Sequence, residues 1–362
     1  MTNAVPRSAR GSRAWLALSL VRGLSAARAL ALVRERGGPE AILEGPEAAG
    51  LDAKAVAEAQ READREAGRL AAARATLVTW GDDGYPARLR TIPDPPLVLA
   101  VRGTLVADEP AVAVVGARRA TPAGLRVAAE LARGLADAGL AVVSGLAAGI
   151  DAAAHRAALA AGGRTLAVLG TGIDRVYPAW HGALAAEIAR GGALLSELRC
   201  GAPPLAHHFP QRNRLISGLA VGTVVVEAAE GSGSLITARC ALEQGREVFA
   251  VPGPVEGPQH RGSHRLIQQG AKLVIDVEDI LEEIAPALRA RVAEARAARA
   301  RAALAPVEER VLEAVGREEG HVDDVIRRAG LPAGTTLETL LALELRGLVE
   351  QAPGKRFRRR AA

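Results

Sequence analysis

Cysteine is almost missing from this chain of 362 residues; Cys200 and Cys240 are the only two. Neither stands in a Cys-x-x-Cys pair or at metal-ligand spacing, so a disulfide framework is excluded and reduced thiols are expected. His207-His208 and the pair His260 and His264 have no cysteine or carboxylate cluster beside them, so no metal centre is expected. Aromatic residues make up 2% of the chain, which leaves few side chains for a base-stacking surface. No apolar run approaches the roughly 20 residues that a membrane helix needs. A Walker A pattern is absent, Gly116-Ala117-Arg118 does not continue as G-x-G-x-x-G, and Gly231-x-Gly233 has Ile236 where a third glycine would stand. An ATP or nicotinamide site is therefore unsupported, and no cofactor is expected.

Lysine is scarce too, limited to Lys54, Lys272 and Lys355, so arginine carries the positive charge. The net charge of +5 and isoelectric point near 9.8 fit an acidic partner such as nucleic acid. An alanine-, glycine- and arginine-rich coding bias would raise the arginine count equally well. Each arginine must therefore be judged by its position.

The informative stretch covers residues 206–253. Residues 222–228, GTVVVEA, form a continuous run of the kind buried on both faces of a parallel sheet. The turn Gly231-Ser232-Gly233-Ser234 follows, then an amphipathic helix over 234–244 and a second buried strand over 247–251. The turn aims backbone N–H groups and two hydroxyls out of a helix N-terminus, an arrangement suited to an anion. Upstream, Phe209-Pro210 precedes Arg212-Asn213-Arg214. Arginine's planar fork suits phosphate oxygens, and asparagine bonds a base edge or the backbone. Two readings stay open: a grip on a phosphate backbone, or ion pairs on a solvated helix end. Phe209 is the best stacking candidate, or else a plug beneath the loop.

Strands over 111–115, 140–143, 165–169, 193–198 and 272–275 alternate with helices, one of them started by Thr121 and Pro122. The pattern predicts an α/β fold with a doubly wound parallel sheet and ligands beyond the strands' carboxyl ends. Arg118 and Arg119 leave the first of these strands. Ser144, Asp151 and His155 imitate a hydrolase set, but no G-x-S-x-G surrounds Ser144, and Asp151 is suited to capping a helix. Tyr177 and Trp180 read as loop anchors.

Ahead of this core, Arg7, Arg10 and Arg13 before an apolar run imitate a signal peptide, but Arg22 and Arg28 break the run's continuation. Residues 1–75 are better described as a helical domain with a helix, glycine turn and helix over 18–33, like half of a helix-hairpin-helix. Residues 286–305 form an Ala/Arg-rich linker. Residues 306–362 predict three short helices and a hairpin, a winged helix with a basic tail. Its third helix offers Glu338 and Glu344 against Arg346, which favours protein contact or phosphate brushing over base reading.

The run FPQRNRLISGLA, followed by VVVEAAEGSGSLITARCALEQGREVFAVPG, resembles the core of the DNA-processing protein A family (DprA, also called Smf). VGARRATPAG, SGLAAGIDAAAH, LGTGIDRVYP and GSHRLIQQGA follow that family's order over roughly residues 76–280, within a core domain bounded at 76–285. The resemblance implies a Rossmann-like core between the two end domains and a cytoplasmic, non-enzymatic, homodimeric protein. It further implies binding of single-stranded DNA, protection of incoming DNA and loading of RecA recombinase in natural transformation. It puts Arg118 with the DNA-contacting set, while Ala117 lacks a hydroxyl that many relatives carry there. The implied DNA site is Arg118, Phe209, Arg212, Asn213, Arg214 and the turn Gly231, Ser232, Gly233 and Ser234. The rival is a nucleotide-binding enzyme of the phosphoribohydrolase kind, or a nucleotide sensor. Glu227 and Glu230 are the nearest acids for such chemistry, without the expected glycine-rich loop.

Overall fold

The computed structural model describes residues 9–289, 304–316, 318–345 and 348–359. They divide between two compact units, Met1–Pro286 and Ala287–Ala362.

In the first unit, helices α1 (Ala9–Leu20), α2 (Ala26–Arg36), α3 (Pro39–Glu44) and α4 (Ala53–Ala72) precede strand β1 (Thr76–Thr79). Helix α5 (Ala87–Arg90), then β2 (Val98–Gly103) and β3 (Ala111–Val115) lead into α6 (Pro122–Asp137) and β4 (Ala141–Ser144). Next come α7 (Ile150–Ala160), β5 (Thr165–Val168), α8 (Gly182–Gly191), β6 (Ala193–Ser196) and α9 (His208–Leu219). The unit continues with β7 (Gly222–Val225), α10 (Gly233–Glu243), β8 (Glu247–Ala250), α11 (Arg261–Gln268), β9 (Lys272–Leu273) and α12 (Val277–Ile284).

The nine strands form one sheet in the order β1-β2-β6-β5-β4-β3-β7-β8-β9. Strands β3 to β9 run parallel to one another; β2 is antiparallel to β6, and β1 to β2. The expected parallel sheet thus gains an antiparallel edge, and several strands end one to three residues earlier than their apolar runs. Val226, Ala228 and Val251 are buried beyond their strands, where burial continues after the ladder has ended.

Strand residues alternate between two cores, as the pleat requires. Leu99, Val101, Val143, Val168 and Leu195 meet Leu215, Ile216 and Leu219 of α9 and Ala238 of α10. On the opposite face, Ala100, Ala167 and Leu194 meet Ala152 of α7, Leu184 and Ile188 of α8, and Leu70 of α4. Trp15, Leu16 and Leu18 of α1 pack against Leu97 and Val98 at the sheet's edge, and the Cys200 amide donates to Glu66 Oε1 at 2.6 Å. The N-terminal helices are therefore fastened to the sheet.

From β3 the chain steps outward through β4, β5 and β6, then returns to lay β7 on the other side of β3. The two strands stay parallel, but the order in which strands are added reverses between β3 and β7, and a crevice opens beyond the carboxyl ends of such neighbours. Gly149 shapes this crevice. It adopts φ +80°, and a Cβ there would overlap the Ala117 carbonyl oxygen, which accepts the Ile150 amide at 3.2 Å. Gly149→Ala is expected to cost at least about 1–3 kcal/mol from backbone strain alone. Thermal melts check this; an unchanged midpoint would mean the loop relaxes freely.

The second unit has helices Pro306–Ala314, Val322–Ala329 and Ala333–Leu345, with strands β10 (Gly320–His321), β11 (Val349–Ala352) and β12 (Arg356–Arg359) ordered β10-β12-β11. This is a winged-helix arrangement around Val311, Val325, Leu340, Leu343 and Phe357. Its third helix exposes Leu337, Leu341 and Leu345 at four-residue intervals, an apolar face where a base-reading helix would be basic. Arg346, Arg360 and most of the Ala/Arg-rich stretch lie outside the described residues. Within the basic tail, Arg358 pairs with Glu350 at 3.0 Å, and Arg359 donates to the Val315 carbonyl at 2.8 Å.

Candidate nucleic-acid interface

Helix α9 carries the Arg212-Asn213-Arg214 run and aims its members differently. Arg212 points into the protein and is 6% exposed. Its guanidinium donates to the Gly145 carbonyl at 2.8 Å, to the Val168 carbonyl, and to Asn213 Oδ1 at 3.3 Å. A Cβ on Gly145 would stand 2.6 Å from Arg212 Nη2, so that glycine makes room for the fork. Burial pushes the guanidinium down to about 10, partly offset by Asp151, which leaves it charged at neutral pH. Asp151 in turn accepts the Gly145 and Ala147 amides at 3.1 and 3.3 Å.

Arg214 is also committed. It bonds both oxygens of Glu197, at 2.7 and 2.8 Å, and reaches Asp94 at 3.2 Å. Burial opposes its charge, but the two carboxylates more than compensate and raise it above the ordinary arginine value. Both guanidiniums are thus engaged by groups of the protein itself. Arg212 spans carbonyls at the ends of β4 and β5, and Arg214 sits in an ion-pair network. Asn213, 9% exposed, donates to the Gly233 carbonyl at 3.2 Å and ties α9 to the start of α10.

The Gly/Ser turn opens α10. Gly231 takes φ +78°, and nothing lies within 4 Å of a Cβ built on it or on Gly233, so this backbone faces open space. The hydroxyls do not point outward as a pair. Ser232 Oγ caps the helix by accepting the Ser234 amide at 3.4 Å, and it lies 2.8 Å from the hydroxyl of the buried Ser234. What the turn offers an anion is backbone.

Arg118 is different. It is exposed, has no ion-pair partner among the described residues, and lies over the Phe209 ring at 5.1 Å. Phe209 is half-buried against Gly170, with Tyr177 at 5.6 Å. Arginine and ring form a cationic, aromatic surface at the sheet's carboxyl edge. Trp180, read from the sequence as a loop anchor, is 77% exposed and anchors little; Tyr177 is 44% exposed.

The imitation hydrolase set dissolves in three dimensions. Ser144 is fully buried and donates to the Val114 carbonyl at 2.6 Å. His155 Nδ1 meets Thr165 Oγ1 at 2.6 Å; that hydroxyl donates to the Val142 carbonyl, so the ring supplies Nδ1–H. Glu227, also fully buried, accepts the Thr121 amide and hydroxyl at the start of α6, where the helix dipole favours an anion. Among the described residues, no three His, Cys, Asp or Glu side chains gather as metal ligands. No described helix is long and apolar enough to cross a membrane.

Burial lowers His155 from 6.5 to about 3. The unfolded chain therefore takes up this proton first, and the contribution of His155 to stability, complete above 6.5, drains away as pH falls towards 3. The loss is up to about 1.4 kcal/mol per pH unit, opposed in part by Asp151, whose carboxyl burial raises. Denaturant titrations between pH 6.5 and about 4.5 check this; stability should fall less steeply in His155→Gln, and equal slopes would contradict it.

Sequence profiles of DNA recombination-mediator protein A and of the DprA winged helix domain match residues 76–285 and 295–355. Protein Smf of Escherichia coli (strain K12) is 44% identical over 292 residues, covering 79% of this chain and 78% of that protein. DNA processing protein DprA of Streptococcus pneumoniae is 47% identical over 203 residues, 56% of this chain and 72% of that one. The X-ray structure of DprA from Streptococcus pneumoniae matches with a TM-score of 0.67 at 37% identity, over 75% of this chain and 98% of that one. A structure of DNA processing protein A from Helicobacter pylori, described for its single-stranded DNA binding mode, matches with a TM-score of 0.52 at 29% identity, over 58% and 96% of the chains.

Proposed function

The chain belongs to the DNA recombination-mediator protein A family, and we propose that it binds single-stranded DNA along the carboxyl edge of its sheet. It is a DNA-processing recombination mediator, and the solved Helicobacter pylori relative is described as binding single-stranded DNA. One observation carries the assignment of the surface: Arg118 stands exposed and unpaired over Phe209, among the described residues, where the strand order reverses. Arg118 supplies charge to a phosphate, and the Phe209 and Tyr177 rings supply faces for bases. The Gly231 and Gly233 backbone takes a further phosphate. Arg212, Asn213 and Arg214 hold this edge in shape from behind.

The protein acts by binding rather than by catalysis, in the cytoplasm, and hands its strand to RecA recombinase during natural transformation. The engaged states of Ser144, His155 and Glu227 support a non-catalytic reading over a phosphoribohydrolase. A mobility-shift series with single- and double-stranded oligonucleotides tests the binding. Preference for the duplex, or release of base from nucleoside monophosphates, would overturn it.

The protein works as a homodimer. At the free β9 edge Leu273 is 41% and Ile275 77% exposed, while Val274, Val277, Ile280 and Leu281 of the same segment turn inward. Light scattering should give a dimer, and Ile275→Asp a monomer that melts like the parent. A dimer persisting in that variant would move the interface elsewhere.

A further inference from the structure

A groove of about 620 Å³ runs between α6 and α7, beginning at Arg118 and Arg119 and continuing past Arg133 on α6 and Arg156 on α7. All four arginines are exposed, and among the described residues none is held in an ion pair. That sets them apart from Arg65, Arg69, Arg164 and Arg214, each of which has a carboxylate partner. Among the described residues no carboxylate lines the groove, and its floor is built of alanines such as Ala152 and Ala153. Small side chains there leave room for a backbone, and a cleft walled by one sign of charge concentrates its potential.

We infer that this groove carries the continuation of the bound strand, gripping its phosphates after it leaves the Arg118–Phe209 edge. The inference rests on reading that edge as the single-strand site. Arg118 borders both surfaces, so the positive track is continuous. Arg156 lies about 9 Å along its helix from Ile150, and Arg133 about 16 Å from Pro122, at 1.5 Å per residue. That length holds roughly three to five nucleotides at the stacked spacing of 3.4 Å. Trp180, 77% exposed, lies 6.2 Å from the ring of His181, which lines the groove. It offers a face on which a base of the continuing strand stacks.

The test compares oligo-dT of about six and about twenty nucleotides on the full-length protein and on the Arg133→Ala/Arg156→Ala double variant. The six-mer should bind both proteins alike. The twenty-mer should bind the variant roughly tenfold more weakly, with the slope of log K against log salt reduced by about 1.4 for two lost phosphate contacts. Trp180→Ala should weaken the twenty-mer without changing that slope. Unchanged binding of the twenty-mer, or equal loss for both lengths, overturns the groove. Arg118→Ala separates this from the underlying reading, since it should weaken both lengths. If the parent protein binds neither oligonucleotide, the edge and the groove fall together.

Discussion

Arg212→Ala is expected to destabilise the sheet domain by about 3–5 kcal/mol, the usual result of removing one partner from a buried charged network. The substitution strips the Gly145 and Val168 carbonyls of their donor and leaves Asp151 buried beside an empty space. For a chain this large that corresponds to a fall in melting temperature of roughly 6–20 °C. Arg212→Lys should recover only part of it, because one ammonium cannot reproduce a planar fork spanning two carbonyls. A variant that melts like the parent and merely loses salt-dependent DNA binding would mean the guanidinium swings out to solvent.

The second large effect falls on binding with little cost to folding. Arg118→Ala removes an exposed, unpaired charge, and Phe209→Ala removes the ring beneath it. Each should weaken an oligo-dT by about 1–3 kcal/mol, or roughly 5- to 150-fold in Kd. The pair should fall short of additivity, since the two side chains touch and the ring holds the arginine in place. Phe209→Tyr should restore most of the loss, and equal affinities in the parent, the two alanine variants and their double variant would remove this edge from the interface.

Much of the fold was legible because parallel strands buried on both faces read as unbroken apolar runs. Residues 111–115 are the clearest case: all five are buried, as their composition requires. The antiparallel pairing of β1 with β2 was not legible, since pairing direction depends on chain returns that a short run does not encode. The site was half legible. Arg212, Asn213 and Arg214 are adjacent in sequence, which suggested one shared task. On a helix of 3.6 residues per turn, however, successive side chains point about 100° apart. Their partners are also remote: Arg212 meets carbonyls 67 and 44 residues away, and Arg214 meets Asp94 120 residues away. No local pattern carries such information. Trp180 shows the reverse error, because a large aromatic in a proline-containing loop usually packs inward, and this one does not.

The central claim, that the strand is held at the switch-point edge by Arg118, is tested most directly by titrating an oligo-dT at several salt concentrations against three proteins: the parent, Arg118→Ala and Arg214→Ala. Arg118→Ala should flatten the slope of log K against log salt by about 0.7 and leave the melting temperature unchanged. Arg214→Ala should keep the parent slope while melting lower, because its charge already belongs to Glu197 and Asp94. A parent-like slope in Arg118→Ala, with a flattened one in Arg214→Ala, would contradict the account.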